Sequence, residues 1–357
     1  MSDVPPSTNI HGRATVDNPR NRFVPLTVVR DEDAWIDPDG QPSPATEFFT
    51  DASRSIITRN DSPDVGFEYS INPYRGCEHG CIYCYARPTH EWLGFSAGLD
   101  FETKIMVKAD APDLLRSELI SPKWQPKMLA ISGVTDCYQP IERKLQLTRR
   151  CLAVLAEFRN PVGIVTKNHL VTRDIDLLKE LASVNAAAVF VSITTLDPQL
   201  TRLMEPRTSV PARRLATIEE LANAGIPVGV LMAPVVPGLT DHEIPAVVNS
   251  AKNAGAVTAG YVPLRLPYGV APLFEDWLAR HFPDRKDKVL NRIRSMRGGK
   301  LNDSNFNTRM KGAGPFADQI AAMFEMAKKR TGLTDRGPSL SIAAFRRPEG
   351  PQMELWR

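Results

Sequence analysis

The sequence predicts an α/β protein, a partial (β/α)6 barrel of parallel strands with an N-terminal arm and a helical, basic C-terminal extension. Apolar, strand-like segments alternate with amphipathic segments across residues 66–266. The composition, 42% hydrophobic and 24% charged, is typical of a globular protein. Such alternation implies parallel strands joined by crossover helices. A doubly wound open sheet is the second fold that satisfies the pattern, and both folds place reactive groups at the C-terminal ends of the strands.

The predicted elements follow one another regularly along the barrel. Residues 142–158 show apolar side chains at helical spacing and predict one continuous helix. Gly225 and Gly255 end the helices that precede them. The predicted barrel strands are 66–72, 127–134, 162–166, 187–194, 227–233 and 259–266, with a short extra strand at 104–108. The predicted helices are 111–120, 142–158, 174–184, 211–224 and 241–254.

Composition divides the chain into three predicted parts. Residues 1–60 are rich in Pro, Asp, Ser and Arg, and predict an arm that is either disordered or docked on the barrel, with a candidate short strand at 25–29. Residues 61–270 form the predicted barrel and 271–357 the predicted extension. The sequence has no run of 18 apolar residues and no apolar core of the signal-peptide kind, so we expect a cytoplasmic protein without a membrane partner.

The most informative motif is a cysteine-rich loop directly after the first barrel strand. Cys77, Cys81 and Cys84 follow the spacing C-x3-C-x2-C, and Gly76 and Gly80 permit the tight wrapping that such a loop needs. Three thiolates can hold a four-iron cluster and leave one iron open to a cofactor or substrate. The alternative on spacing alone is zinc, held by the three cysteines with His79 or His90.

The motif in this context resembles the radical S-adenosylmethionine superfamily, in which an aromatic residue, here Tyr83, precedes the last cysteine. Further segments are similar to the branch that contains spore photoproduct lyase and its uncharacterised relatives. The usual Gly-Gly-Glu-Pro after the second strand is replaced by Ser132-Gly133-Val134-Thr135. The similar segments are Thr135–Glu142, Val165–Lys167, Ser192–Thr194, Glu205–Thr208, Ala224–Pro227 and Met232–Gly238.

The resemblance implies a cofactor set and a chemistry. A 4Fe-4S cluster on Cys77, Cys81 and Cys84 binds S-adenosyl-L-methionine, reductively cleaves it, and yields a 5′-deoxyadenosyl radical that removes hydrogen from a substrate. Tyr83 is expected near the adenine. Polar residues at the strand ends are candidates for the other cofactor contacts, with helix capping or surface ion pairing as the alternative. These candidates are Ser132, Thr135, Lys167, Ser192, Thr194 and Arg207.

Two further cysteines lie outside the loop. Cys137 occupies the region where spore photoproduct lyase carries a hydrogen-donating cysteine, and is a catalytic candidate. An inert, half-buried thiol is the alternative for Cys137. Cys151 lies on the apolar face of the 142–158 helix, and we expect it in the core.

The expected partners are an electron donor such as flavodoxin or ferredoxin and a substrate that the sequence leaves open, with nucleic acid as the leading candidate. Residues 280–300 contain eight Lys or Arg against Asp284 and Asp287, which suggests either phosphate binding or a solvated helix face. Two other functions remain: a zinc-stabilised nucleic-acid-binding protein without catalysis, and a barrel whose cluster only relays electrons.

Overall fold

The computed structural model describes residues 10–23, 45–335 and 337–348. The candidate strand at 25–29 lies outside the described residues. In chain order the strands are β1 (Glu47–Thr50), β2 (Ile57–Arg59), β3 (Tyr69–Ile71), β4 (Tyr74–Arg75), β5 (Lys104–Val107), β6 (Leu129–Ile131), β7 (Val162–Thr166), β8 (Ala187–Ser192), β9 (Val228–Val235) and β10 (Thr258–Pro263).

The α-helices mostly lie between the barrel strands and in the C-terminal extension. Short 3-10 helices occupy Arg87–Leu93, His169–Asp174 and Asp241–Glu243. In chain order the α-helices are α1 (Leu99–Thr103), α2 (Ala111–Ile120), α3 (Glu142–Leu145), α4 (Leu147–Phe158), α5 (Ile175–Ala182), α6 (Pro198–Met204), α7 (Pro211–Asn223), α8 (Ile244–Asn253), α9 (Val270–His281), α10 (Pro283–Met296) and α11 (Pro315–Thr331).

Seven strands form the main sheet in the order β10-β9-β8-β7-β6-β3-β2. The six strands from β3 to β10 in this order are parallel, and β2 pairs antiparallel with β3. Each strand pairs with the strand of this sheet that precedes or follows it along the chain, as a partial barrel requires. The predicted fold is therefore confirmed, and the C-terminal ends of six strands converge on one face. A second sheet, β1-β5-β4, lies beside the start of the barrel.

The predicted 142–158 helix is interrupted. Gln146 has a left-handed backbone (φ 52°, ψ 30°), which ends α3 and starts α4. The periodicity prediction of one continuous helix was therefore wrong at this residue. Cys151 and Phe158, on α4, are fully buried as expected.

The N-terminal arm and the C-terminal extension both pack on the barrel. Ala14, Phe274 and Trp277 belong to one hydrophobic cluster with Cys81 and Tyr83 of the cysteine loop. The arm also contributes β1 and β2 to the two sheets. The described part of the N-terminal arm is therefore docked on the barrel, which is one of the two predicted alternatives. Among the described residues, no helix is both long and apolar enough to cross a membrane.

Candidate active site

The cysteine loop leaves β4 at the C-terminal edge of the barrel, and two glycines allow its path. Gly76 (φ 78°) and Gly80 (φ 65°) both have left-handed backbones. A Cβ on Gly76 would lie 3.0 Å from the Lys104 carbonyl oxygen, and one on Gly80 would lie 2.7 Å from the Glu102 carboxylate. Any other residue would be strained and crowded at either position.

The three cysteines of the loop are unbridged, and at least two are fully enclosed. Cys77 and Cys81 are buried and Cys84 is half-buried, with none in a disulfide. Burial raises the pKa of all three thiols, and neighbouring thiols raise the pKa of Cys77 and Cys81 further. The backbone N–H of Asp136 lowers the pKa of Cys77, and those of Ala86 and Arg87 lower that of Cys84. Such N–H groups stabilise thiolates that carry a metal cluster. This donor set fits the cluster that the motif implies.

Arg87 stabilises the cysteine loop by donating hydrogen bonds to it. Its guanidinium has five N–H donors, and in this fully buried side chain all five are used. It donates to the carbonyls of Cys81 (3.0 Å) and Gly80 (3.1 Å), and to the Glu102 carboxylate (2.6 Å). The other two bonds go to the carbonyls of Ala97 and Gly98. Arg87 was not predicted from the sequence, because its role depends on acceptors that only the fold brings together.

The segment after β6 holds the loop from the side. Gln139 accepts the backbone N–H of Glu78 (2.9 Å), and the Glu78 carboxylate accepts the N–H of Ile141 (2.7 Å). Asp136 lies 3.3 Å from Nδ1 of the buried His79. Burial alone would raise the pKa of Asp136, but His79 and the backbone N–H groups of its neighbours outweigh it and lower that pKa to about 2.

Tyr83 anchors a buried polar network. Its hydroxyl donates to the Glu205 carboxylate and lies 3.3 Å from Thr194 Oγ1, which also donates to Glu205 (2.7 Å). Glu205 in turn pairs with Arg214, which is as deeply buried. Burial opposes the charge on Glu205, yet Arg214 and the nearby Lys167 outweigh it and lower its pKa to about 2. The role of Arg214 was not predicted, since a lone arginine on a helix gives no sequence signal.

Lys167 and Ser192, both predicted as cofactor contacts, lie beside this network. Lys167 Nζ donates to Ser192 Oγ (3.0 Å) and is 5.9 Å from the Tyr83 ring centroid. Ser192 Oγ donates to the Ala233 carbonyl (3.1 Å). The structure thus brings Lys167, Ser192 and Thr194 at the strand ends next to Tyr83 of the cysteine loop.

The other predicted residues lie elsewhere around the loop. Ser132 (φ 83°) accepts the backbone N–H of Cys137 (3.0 Å), and Thr135 donates to the Tyr74 carbonyl (3.4 Å). Cys137 is completely buried and belongs to the main hydrophobic core. Arg207 pairs with Glu78 (3.2 Å), outside the Tyr83 network.

An exposed aromatic ring stands beside the last cysteine. Tyr85 is 51% exposed, and its hydroxyl donates to the Gly133 carbonyl (2.6 Å). The guanidinium of Arg265, just beyond β10, lies 5.3 Å from the ring centroid. This pair offers a flat, cationic surface at the edge of the strand ends.

Zinc ligation would need a fourth ligand beside the cysteines, and Nε2 of each candidate histidine contacts another group of the chain. His79 contacts Asp136, and its Nε2 lies 3.2 Å from Asn168 Nδ2. His90 Nε2 lies 2.9 Å from the Lys104 carbonyl, and burial lowers the pKa of His90 to about 4. Within the described part of the chain, no three His, Cys, Asp or Glu side chains are arranged to hold a single metal ion. A four-iron cluster binds each thiolate to a different iron, so it does not require that arrangement.

Half of the basic residues in 280–300 are committed to contacts within the chain. Arg292 pairs with Asp241 (3.0 Å), and Arg280 pairs with Asp276 (3.0 Å). Arg294 reaches Glu275 (3.7 Å). Arg297 is buried and donates to the carbonyls at the end of β10. These contacts favour the structural interpretation of the segment.

Fold and loop together define a class, the partial β/α barrels with a cysteine loop after the first barrel strand. The profile of the Radical SAM superfamily matches residues 71–251, slightly more than half of the chain. The chain belongs to this superfamily, whose members use S-adenosylmethionine and a 4Fe-4S cluster.

The chain is also similar to several individual proteins. An uncharacterized protein of Mycobacterium tuberculosis is 39% identical over 220 residues, which is 61% of this chain and 65% of that protein. An uncharacterized protein of Methanocaldococcus jannaschii is 32% identical over 184 residues, 52% of this chain and 66% of that protein. The chain thus spans slightly less than two thirds of the length of these relatives.

Solved structures of spore photoproduct lyase share the fold. The complex with dinucleoside spore photoproduct has a TM-score of 0.56 at 15% identity, and the match covers 80% of this chain and 79% of that chain. A variant with bound AdoMet and dinucleoside spore photoproduct has a TM-score of 0.55 at 14% identity, with 80% and 78% covered. The likeness shows that the chain shares the fold of these structures.

Proposed function

We propose that this chain is a radical S-adenosylmethionine enzyme whose 4Fe-4S cluster is held by Cys77, Cys81 and Cys84. The observation that carries the proposal is three unbridged thiols in one loop, which bends at the left-handed residues Gly76 and Gly80 and is held by hydrogen bonds from Arg87. When bound, the reduced cluster supplies one electron that cleaves S-adenosylmethionine to methionine and a 5′-deoxyadenosyl radical, which takes hydrogen from the substrate.

The protein's own residues orient the cofactor and exclude water from it. Tyr83 and Thr194 are held in place by hydrogen bonds to Glu205 and form one side of the proposed cofactor site. The Lys167 ammonium lies next to the Tyr83 ring, where it can bind the carboxylate of the cofactor. Ser192 fixes the Lys167 ammonium. Ser132, Thr135 and Arg207 remain proposed contacts, and Arg207 would act through Glu78.

Nucleic acid is the proposed substrate class. Tyr85 is an exposed ring beside Cys84 with Arg265 next to it, a combination that stacks on unpaired bases. The solved complex of spore photoproduct lyase contains a dinucleoside lesion. Cys137 is proposed as a hydrogen donor, and its complete burial requires the segment that follows β6 to move before the thiol can reach a substrate.

Anaerobic reconstitution with iron and sulfide tests the enzyme proposal. We expect about four irons per chain and 5′-deoxyadenosine after reduction with dithionite. Cys81→Ala should lose both, whereas Cys151→Ala, which removes a core thiol outside the loop, should keep both. A colourless wild-type protein that retains one zinc would overturn the proposal. Deuterium transfer from labelled oligonucleotides into 5′-deoxyadenosine tests the substrate class, and transfer only from small metabolites would reject nucleic acid.

A further inference from the structure

A second charged site lies on the outer side of the cysteine loop. An open cleft of about 490 Å³ is lined by Arg143, Asn168, His169, Arg207, Ser209 and Arg213, with Pro140 and Thr208 completing it. Arg143 and Arg213 are exposed, and no ion pair joins either side chain to a carboxylate of the described residues. The cleft therefore presents uncompensated positive charge to solvent.

The nearby carboxylates do not neutralise this charge. Glu78 is almost fully buried and is matched by Arg207 at 3.2 Å. Glu220 lies 3.8 Å from His169 Nε2. Burial and then Arg213 lower the pKa of His169, Glu220 opposes them, and Arg143 lowers it further. No described carboxylate lies within ion-pair distance of Arg143 or Arg213, and two such arginine charges attract an anionic partner.

The cleft is in direct contact with the cysteine loop. Asn168 Nδ2 lies 3.2 Å from His79 Nε2, and the backbone N–H of Arg207 donates to the His79 carbonyl (3.4 Å). His79 stands between Cys77 and Cys81. Only one layer of side chains therefore separates the cleft from the proposed cluster.

The cleft is also separate from the strand-end network of Tyr83, Lys167, Ser192 and Thr194, although Arg207, a proposed cofactor contact, lines it. The Lys167 carbonyl accepts the N–H of Ser209, which lines the cleft (3.2 Å). The Lys167 side chain instead reaches Ser192 in the strand-end network. The backbone of Lys167 thus borders the cleft, whereas its side chain belongs to the strand-end network. A molecule bound in the cleft therefore leaves the strand ends open to substrate.

We propose that this cleft is the docking surface of an acidic one-electron carrier protein, and this proposal rests on the proposed function. Charge complementarity selects an acidic surface, and contact with the loop places the carrier beside the group that must be reduced. The carrier loses one electron and the cluster gains it, with no atom transferred. Complexes of this kind are small, transient and sensitive to salt, because charged groups control their association rate.

The test uses a bacterial flavodoxin as the probe. Prereduced flavodoxin is mixed with cluster-loaded protein, and cluster reduction is followed by stopped-flow absorbance at about 20 and about 300 mM salt. Arg143→Glu/Arg213→Glu should slow reduction about tenfold or more at low salt and remove most of the salt dependence. Reduction by dithionite, which needs no docking, should be unchanged.

A matched control reverses two charges that do not line the cleft. Lys179→Glu/Lys252→Glu alters exposed residues in the last turns of α5 and α8, and should stay within about twofold of wild type. The neutral variant Arg143→Gln/Arg213→Gln should fall between wild type and the double reversal. Calorimetric titration of the cluster-free protein with flavodoxin gives a second readout, in which only the cleft variants should lose affinity.

Equal effects of the cleft and control variants, or none, would overturn the docking proposal. Unchanged reduction by flavodoxin together with weakened binding of an oligonucleotide would also overturn it, in favour of a phosphate site. Failure of the proposed function is distinguishable, because wild-type protein would then form no 5′-deoxyadenosine even with dithionite.

Discussion

Arg87 shows how a single side chain can hold a flexible loop in one shape. Three of its five hydrogen bonds end on Gly80, Cys81 and Glu102, and Thr15 of the arm donates to the same Glu102 carboxylate (2.9 Å). Removing one partner of a buried ion pair leaves an uncompensated charge, which costs far more than the loss of an exposed pair.

Replacing Arg87 by methionine should therefore lower the free energy of unfolding of the cluster-free protein by roughly 3–5 kcal/mol. The exposed pair Arg116–Glu157 is the matched control, and Arg116→Met should cost about 1 kcal/mol or less. Denaturant unfolding measures both. The iron content after reconstitution should fall in the Arg87 variant alone, and equal iron contents would contradict the positioning role.

Glu205 predicts a pH dependence of stability. Its pKa is lowered in the folded protein from 4.5 to about 2, so the ionised carboxylate stabilises the fold above pH 4.5. This contribution, roughly 3 kcal/mol, is lost as the pH falls from 4.5 towards 2. The difference in unfolding free energy between wild type and Glu205→Gln should shrink over that interval. A difference that is constant with pH would show that Glu205 is not ionised in the fold.

At the scale of elements, apolar periodicity predicts one helix over residues 142–158, but the structure breaks it into two helices at Gln146. Apolar spacing continues through residues 142–158, but the left-handed turn at Gln146 lets α3 and α4 follow different directions. The Glu142 carboxylate accepts the backbone N–H of Thr148 (3.1 Å), which stabilises the new start. A hydrophobic pattern cannot show this turn, because it depends on a carboxylate that pairs with Arg173 from another segment.

A β-branched residue does not tolerate this backbone, whereas asparagine does. Gln146→Val should lower the free energy of unfolding by about 1–2 kcal/mol, and Gln146→Asn should change it by less than about 0.5 kcal/mol. Thermal and denaturant unfolding would measure the pair. Equal stabilities would mean that the turn relaxes at no cost.

The barrel strands and the loop cysteines were predictable, because periodicity and motif spacing are local properties of the sequence. The short strands β1 and β2 were not, since Glu47–Thr50 and Ile57–Arg59 gain their order from sheet partners. The same reason hid Arg87 and Arg214, whose partners lie on other segments. Lys167, Ser192 and Thr194 could be predicted as neighbours because parallel strands end on one face, and Tyr83 because it belongs to the cysteine motif.

At the scale of the whole molecule, the barrel and the C-terminal extension share a core. Trp277 is fully buried, and its indole N–H donates to the Leu203 carbonyl (3.0 Å). The same hydrophobic cluster contains Cys81 and Tyr83. The boundary predicted at residue 270 therefore remains a proposal about sequence organisation, and we do not expect residues 61–270 to fold alone.

Trp277→Ala should accordingly destabilise the whole molecule by roughly 3–5 kcal/mol. Trp92, which is 73% exposed, is the matched control, and Trp92→Ala should stay within about 0.5 kcal/mol of wild type. Cooperative unfolding monitored by circular dichroism would compare them. If Trp277→Ala were equally mild, the extension would be an independent unit.

The shared cluster around the cysteine loop also sets an order of events during synthesis. Ala14, Leu200 and Phe274 all pack around Cys81 and Tyr83, so the surroundings of the loop draw on the beginning, middle and late parts of the chain. Residues translated before α9 and α10 leave this side of the loop uncovered. We therefore expect the proposed cluster to be inserted only into a nearly complete polypeptide, and a nascent chain stalled before residue 270 not to retain it.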